Sequence, residues 1–183
     1  MTDRIETLKK EIGFIRDPEV KEIVKDLVQK LPEYFFNVAA SSTGKYHPKY
    51  ALGEGGLVRH TQSAVRIANE LFELEMFKPL EPEKDFIISA LILHDGLKHG
   101  QTLGVYTVSN HPVLASDFIK ENCENKEVAE KIAELVLTHM GQWNTDYKTK
   151  IEIMPKPSTK TQNFVHLCDY LASRKCLEFN FEV

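Results

Sequence analysis

The sequence predicts an all-α fold in a single domain. Apolar residues recur at helical spacing in several segments, and almost no segment alternates apolar and polar residues as a half-buried strand does. Proline and glycine separate these segments, but no linker-like or repeated stretch divides the chain. A length of 183 residues is enough to bury one core without disulfides. We therefore expect one helical bundle over residues 1–183.

The first part of the chain predicts three helices and a loop. Helical spacing over 3–12 and 17–30 predicts two N-terminal helices, and Pro32 ends the second. The segment 41–56 is rich in turn-forming residues and predicts a surface loop that could overhang a site. It leads into a long amphipathic helix over 56–77.

Four more helices are predicted in the second part. The segment 85–95 is apolar on nearly all sides, so we expect a central, buried helix that ends in His-Asp-Gly. Helical spacing and proline or glycine boundaries predict further helices over 112–121 and 126–140. The last helix is expected over 159–179, with Ser158 as its N-cap.

Composition and charge narrow the class of protein. A net charge of -4 argues against a chain that coats nucleic acid through phosphate neutralisation alone. The charged N-terminus does not resemble a signal peptide, and the longest apolar stretch, 86–93, is too short to cross a bilayer. The three cysteines form no C-x-x-C pair, which fits a reducing compartment, and we expect them to be small buried residues, with Cys168 and Cys176 on one helix. We therefore expect a cytoplasmic protein without a membrane partner, in an oligomeric state that the sequence does not predict.

Six side chains with metal-binding chemistry lie on inward faces or at the ends of the predicted helices. They are His60, His94, Asp95, His111, His139 and Asp169. Aspartate is rarely buried unless it is paired or bound to a metal, so Asp169 on an apolar helix face requires a partner. Imidazole nitrogen together with carboxylate oxygen suits Mn²⁺, Fe²⁺, Co²⁺, Ni²⁺ or Zn²⁺. The pattern therefore predicts a divalent metal site.

The order of these residues resembles that of a known superfamily. An isolated histidine, a His-Asp doublet and a distal aspartate are similar to the H…HD…D signature of the HD-domain metal-dependent phosphohydrolases. The segment GEGGLVRHT, which contains His60, is similar to the GGL-x-x-H-T opening of many HD helices. The resemblance covers residues 40–175 and implies an HD-type metal-binding core there, preceded by N-terminal helices within 1–32.

A subset of that superfamily has two further histidines that bind a second metal ion. His111 and His139 stand at matching places. The segments HPKYALGEGGLVRHT and H-D-x-x-K, in which the lysine is Lys98, also resemble bacterial HD-type 3′-to-5′ exoribonucleases. The resemblance implies two ions, with Mg²⁺ as a further working ion, and names Asp95 and Lys98 as catalytic residues. It implies that one ion is held by His60, His94, Asp95 and Asp169, and the other by Asp95, His111 and His139, with Asp95 as the bridge.

The chain departs from the pattern of these relatives in three respects, one of which is the extra imidazole of His99, which could protonate a leaving group. Gly96 precedes Leu97, whereas the usual order places a large apolar residue before the glycine, and this alters the turn that directs Lys98. Met140 follows His139 where the cyclic-dinucleotide phosphodiesterase branch has a second histidine, and that branch's G-Y-P motif is missing. We therefore do not expect cyclic-dinucleotide hydrolysis.

Several of these side chains also have ordinary structural interpretations. A histidine before proline and a histidine at a helix C-terminus are both common, so His111 and His139 can be structural. Lys98 can be a solvated lysine, His99 is expected to be an exposed bystander, and His166 is expected at the surface.

Several other residues can contribute to substrate binding. His47 lies in the loop before the helix of His60 and can touch substrate. A group of aromatic residues can stack on a base, namely Tyr34, Phe35, Phe36 and Tyr46. Trp143 can line the rim of a pocket, and Arg174 can contact a phosphate or simply end a helix. Core packing or loop anchoring is the ordinary alternative for the aromatic residues.

The expected function is hydrolysis of phosphoester bonds by a metal-activated hydroxide. The expected substrate is a phosphorylated small molecule such as a nucleotide, or a short single-stranded nucleic acid. Two alternatives remain open. The same ligands can hold the iron pair of an HD-type di-iron oxygenase, or the domain can be a non-catalytic nucleotide-binding module.

Overall fold

The computed structural model describes residues 4–177, which form helices joined by turns and loops. This part of the chain contains no β-strand, only an isolated antiparallel bridge between Thr145 and Glu152. The predicted all-α fold is confirmed. The helices are α1 (Arg4–Thr7), α2 (Lys9–Gly13), α3 (Pro18–Lys30), α4 (Gly56–Leu71), α5 (Lys84–Leu93), α6 (His111–Asn122), α7 (Lys126–Leu137) and α8 (Lys160–Ala172).

Helix α5 forms the centre of the bundle because nearly all of its surface is apolar. Its residues from Ile87 to Leu93 are all buried, and the helix contacts α2, α3, α4, α7 and α8. Burial of one Leu or Ile side chain contributes about 1.5–3 kcal/mol, so this segment favours the centre of the core strongly. The helix ends at Leu93, and the next two residues, His94 and Asp95, therefore lie inside the protein.

The N-terminal helices cover one side of α5. Asp17 caps α3, because its Oδ1 atom accepts hydrogen bonds from the backbone N–H groups of Glu19 at 2.8 Å and Val20 at 3.1 Å. The predicted helix over 3–12 is divided into α1 and α2 by a turn at Leu8. The Leu8 side chain is fully buried, so the turn inserts it into the core.

Helix α4 is shorter than the predicted helix over 56–77. It ends at Leu71, and after a short turn the chain continues as a 3₁₀ stretch over Glu75–Glu83. This stretch contains Pro79 and Pro82, which have no backbone N–H to donate to an α-helical turn. Helix α4 packs against both α5 and α8, which brings the ligand-bearing segments of the three helices together.

The loop before α4 is fixed by close backbone contacts. The N–H of Ala40 donates to the carbonyl of Ala51 at 3.0 Å. A Cβ atom at Gly56 would lie 2.3 Å from the oxygen of that carbonyl, so a side chain does not fit at this position. The loop thereby holds the N-terminal end of α4, and α4 is the helix that carries His60.

Helix α8 begins with a capping box that is displaced by one residue from the predicted cap at Ser158. The Thr159 Oγ1 atom accepts from the N–H of Gln162 at 3.1 Å, and the Gln162 Oε1 atom accepts from the N–H of Thr159 at 3.2 Å. The helix ends at Ala172, earlier than the predicted end near residue 179, which lies outside the described residues.

The cysteines follow the sequence expectation only in part. Cys123 and Cys168 are buried, as expected. Cys176 lies in a 3₁₀ turn beyond the end of α8 and is exposed, so the expectation that it shares a helix with Cys168 is wrong.

Within residues 4–177, none of the helices combines the length and the apolar character that a bilayer-spanning segment needs.

Two glycine substitutions test the close packing before α4. We expect Gly56→Ala to lower the free energy of unfolding by about 1–3 kcal/mol, because the new methyl group must displace backbone. Gly13→Ala is the matched control, since none of the atoms that the structure describes in residues 4–177 lies within 4 Å of its added Cβ. It should leave stability unchanged or raise it by up to about 1 kcal/mol. Urea denaturation followed by circular dichroism measures both, and equal effects would contradict the packing.

Candidate metal centre

The structure brings the six side chains that the sequence predicts as ligands into one cluster. Five of them are at most 1% exposed, and the side chain of Asp169 is 16% exposed. Three overlapping groups within the cluster place one donor atom per residue within 4.8 Å of one another, as a metal ion requires. The residues come from helices or helix ends, namely α4 (His60), the end of α5 (His94 and Asp95), the start of α6 (His111), the turn after α7 (His139) and α8 (Asp169).

Four of these residues form set one, which contains His60, His94, Asp95 and Asp169. The Nε2 atom of His60 lies 3.3 Å from His94 Nε2, 3.0 Å from Asp169 Oδ1 and 3.6 Å from Asp95 Oδ2. The Nε2 atom of His94 lies 3.4 Å from Asp95 Oδ2 and 3.5 Å from Asp169 Oδ1. Ligands about 2.0–2.2 Å from one ion lie roughly 3.0–3.5 Å from each other. The spacing of set one therefore fits a single ion.

Asp95 also belongs to set two, which contains Asp95, His111 and His139. Its Oδ1 atom lies 3.2 Å from His111 Nε2 and 3.8 Å from His139 Nε2. The two Nε2 atoms lie 3.2 Å apart. The Oδ2 atom of Asp95 is near set one and the Oδ1 atom is near set two, so the two sets share one carboxylate.

Three of the four imidazole rings are oriented by a backbone carbonyl three residues earlier in the chain. A carbonyl only accepts hydrogen bonds, so Nδ1 carries the proton and a neutral ring presents the lone pair of Nε2 to the cluster. Metal-binding histidines are commonly fixed in this way. The Nδ1 to carbonyl distances are 2.7 Å for His94 and Leu91, 2.9 Å for His111 and Val108, and 2.7 Å for His139 and Val136.

The donor atoms of the cluster fit a cation better than they fit one another. The Nδ1 atoms of His111 and His139 both bond to backbone carbonyls, so the Nε2 atoms of the two rings face each other across 3.2 Å, with their lone pairs opposed in the tautomer that binds a metal. Within the described residues, 4–177, the buried Oδ1 atom of Asp95 has no hydrogen-bond partner, and the same is true of the buried Nδ1 atom of His60. A cation bound between these atoms would remove the repulsion between the two Nε2 lone pairs and would balance the charge of the Asp95 carboxylate.

Charge interactions inside the cluster shift its pKa values strongly. Burial lowers the pKa of His94, but the Asp95 and Asp169 carboxylates outweigh burial and raise it to about 10. Burial, followed by the neighbouring His94 cation, lowers the pKa of His139 to about 3. Burial opposes ionisation of Asp95, yet Lys98 and His94 hold its pKa well below the usual range. At neutral pH the chain therefore holds Asp95 ionised, His139 neutral and a proton on His94.

Lys98 contacts the metal-ligand carboxylate directly. Its Nζ atom lies 2.5 Å from Asp95 Oδ2, so the turn through Gly96 and Leu97 directs it towards the cluster despite the unusual order of these two residues. The interpretation of Lys98 as a freely solvated lysine is therefore wrong. Its ammonium group supplies a positive charge at the point where the two sets meet.

A cleft of about 220 Å³ leads from the surface to the cluster. Asp169 of set one and His111 of set two both line it, as do Lys98 and His47. Burial, Lys98 and His60 lower the pKa of His47 to about 4, so this imidazole is neutral at pH 7. The cleft therefore reaches both ligand sets and has one lysine and one neutral histidine beside them.

Two sequence expectations about histidines are wrong. His99 is buried rather than exposed, and its Nδ1 atom bonds to the Gly104 carbonyl at 2.9 Å. His166 is half-buried rather than at the surface, and its Nδ1 atom donates to the carbonyl of His139 at 2.7 Å. A Cβ atom at Gly141 would lie 2.3 Å from the His166 ring. The glycine at this position is therefore the feature of the sequence that could have indicated the contact.

No family model, curated protein or solved structure matches this chain. The functional inference therefore depends on the chemistry and geometry of the cluster.

Metal binding should release protons from this cluster. His94 has a pKa of about 10 and therefore carries a proton at pH 7.5, whereas a metal ion at its Nε2 atom requires the neutral ring. We expect Mn²⁺ to displace about one proton or more per chain, and its affinity to increase as pH rises from 6 to 8. Isothermal titration calorimetry in buffers of different ionisation enthalpy measures the proton count. Binding without proton release would contradict the placement of an ion at His94.

Proposed function

We propose that this protein is a metal-dependent phosphohydrolase that cleaves phosphoester bonds of a nucleotide or of a single-stranded nucleic acid. The observation that carries the proposal is the shared carboxylate of Asp95, which joins two sets of metal-ligand atoms at the base of one cleft. Two divalent ions held in this way lower the pKa of water and stabilise the charge that develops on phosphoryl oxygens.

The cleft gives a phosphate group access to both ligand sets. Asp169 and His111 line it from opposite sets, while His60 and His94 lie fully buried behind them. A phosphate at the base of this cleft therefore reaches the junction of the two sets. Hydrolysis there forms a bond between a water oxygen and phosphorus and breaks the ester P–O bond, and the proton of the water ends on the leaving group or in solvent.

Lys98 and His47 supply the remaining polar groups of the reaction. The Lys98 ammonium lies against Asp95 and lines the cleft, where it neutralises a non-bridging phosphate oxygen. His47 is neutral at pH 7, and its Nδ1 atom is buried without a hydrogen-bond partner among residues 4–177. The residue lines the cleft, so its neutral imidazole contacts the substrate without adding charge.

Replacing the shared carboxylate tests the proposal most directly. We expect Asp95→Asn to lower turnover by at least about a thousandfold, because it weakens both ligand sets at once. The assay is product release with Mn²⁺ from nucleotides, cyclic nucleotides and labelled single-stranded RNA and DNA. Asp117→Asn, an exposed change on α6, is the matched control and should retain full activity.

Three other outcomes, from this assay or from iron spectroscopy and binding measurements beside it, would reject or redirect the proposal. Turnover that survives in Asp95→Asn would show that the metal cluster does not take part in the reaction. An oxygen-sensitive iron signal without hydrolysis would indicate an oxygenase. Metal and nucleotide binding without any product would indicate a binding module.

Removing a ligand of set two should lower the metal content without removing set one. We expect the native chain to bind two Mn²⁺ ions and His139→Ala to bind one, because His60, His94 and Asp169 still lie within 3.5 Å of one another. His47→Gln lies outside both sets and should still bind two ions. Equilibrium dialysis with atomic emission analysis gives the count, and an unchanged count in His139→Ala would eliminate the second site.

A further inference from the structure

A cluster of aromatic rings around one arginine lies at the mouth of the cleft. This aromatic–arginine cluster consists of Tyr46, Trp143, Tyr170 and Arg174. The rings of Trp143 and Tyr170 are nearly parallel, at 8° with centroids 5.6 Å apart. The guanidinium carbon of Arg174 lies 4.4 Å from the Tyr170 centroid and 6.0 Å from the centroids of both Trp143 and Tyr46.

The aromatic–arginine cluster adjoins the metal ligands. Trp143, Tyr170 and Arg174 line the same cleft as Asp169 and His111. Tyr170 directly follows Asp169 on α8. A molecule that fills the cleft therefore contacts the metal cluster and the aromatic–arginine cluster together.

Arg174 carries a positive charge that no carboxylate among residues 4–177 neutralises through an ion pair. Its guanidinium donates to Ser173 Oγ at 3.1 Å through Nε and at 2.8 Å through Nη2. Among residues 4–177, no carboxylate oxygen lies within 4.0 Å of it, whereas Lys98 in the same cleft is paired with Asp95. A half-buried guanidinium with free donors favours an anionic ligand, and phosphate matches its planar geometry.

The aromatic rings of the cluster remain accessible at the surface. Trp143 is 43% exposed and Tyr46 is 56% exposed. Rings that serve only core packing are buried, as Phe35 and Phe72 are in this protein. Exposed rings beside a cleft provide flat apolar faces on which a planar ligand can stack.

We propose that the aromatic–arginine cluster binds one nucleoside monophosphate unit, with the base stacked on Trp143 and the phosphate paired with Arg174. The proposal rests on the proposed function and deepens it, because it assigns the substrate a nucleobase instead of a sugar or a simple alkyl group. Stacking accepts any base, since every base has a π face, so this subsite selects nucleotides without selecting sequence.

Trp143 is the single tryptophan of the chain and reports directly on this binding. The probe is the phosphonate analogue of AMP, in which a methylene group replaces the ester oxygen and prevents hydrolysis, added to the Mn²⁺-loaded protein. We expect saturable quenching of tryptophan fluorescence by the analogue. Ribose 5-phosphate, which lacks the base, should not quench, and adenosine, which lacks the phosphate, should bind at least about tenfold more weakly.

Variants separate the two contacts of the proposed subsite. Arg174→Met should weaken binding of the analogue about tenfold and leave adenosine binding unchanged, while Arg174→Lys should have an intermediate effect. Trp143→Leu, followed by calorimetry, should weaken both ligands about tenfold. The matched controls are Lys78→Met and Tyr106→Leu, which remove an exposed cation or ring outside the cleft lining and should have no effect. Circular dichroism confirms that each variant is folded.

This experiment distinguishes failure of the subsite from failure of the proposed function. Absence of saturable quenching, or equal binding by Arg174→Met and Lys78→Met, would overturn the subsite even if the protein hydrolyses phosphoesters. The expected binding pattern without turnover of any phosphoester would support the subsite and reject the proposed hydrolase.

Discussion

The Asp95 carboxylate is the interaction on which the rest of this structure depends. It is buried and ionised, and an isolated charge in a protein interior costs several kcal/mol even after relaxation. Four imidazole nitrogens and the Lys98 ammonium lie around it, and a divalent cation fits among them. The apolar helix α5 places this carboxylate in the core, because a helix with buried residues on all sides carries its last turn inside as well.

A metal ion in this cluster would have to displace a proton from one of the donor atoms. The Asp95 and Asp169 carboxylates attract positive charge, and without a metal ion Lys98 and a proton on His94 supply it. His139 supplies no positive charge, because burial and the His94 cation lower its pKa to about 3. The backbone carbonyls behind three rings fix which nitrogen faces the cluster, so the metal-ligand atoms are oriented before any ion binds.

The groups that could hold a metal ion and the groups proposed to bind substrate lie at different depths in the cleft. The six His and Asp side chains that could bind a metal are buried or nearly so, on helices or at helix ends. The aromatic–arginine cluster includes two exposed rings, those of Tyr46 and Trp143. Tyr46 is tied to the end of α8 by its carbonyl, which accepts from the N–H of Lys175 at 2.8 Å. Under the proposed function, changes at the mouth alter substrate preference and changes at the base alter the chemistry.

Local pattern in the sequence was sufficient to predict the helices, the burial of α5 and which six residues meet at the cluster. Hydrophobic periodicity is a property of neighbouring residues, and an aspartate on an apolar face requires a partner wherever the helix is packed. Boundaries were less accurate. The cap at Thr159 differs by one residue because neighbouring residues compete as caps, and α4 ends at Leu71 before a 3₁₀ stretch that contains two prolines. Only the tertiary structure decided that His99 is buried, that His166 supports His139 and that Lys98 pairs with Asp95. His60 and Asp169 are 109 residues apart in the chain and 3.0 Å apart in space, and such a distance depends on how α4, α5 and α8 pack, which no local pattern contains.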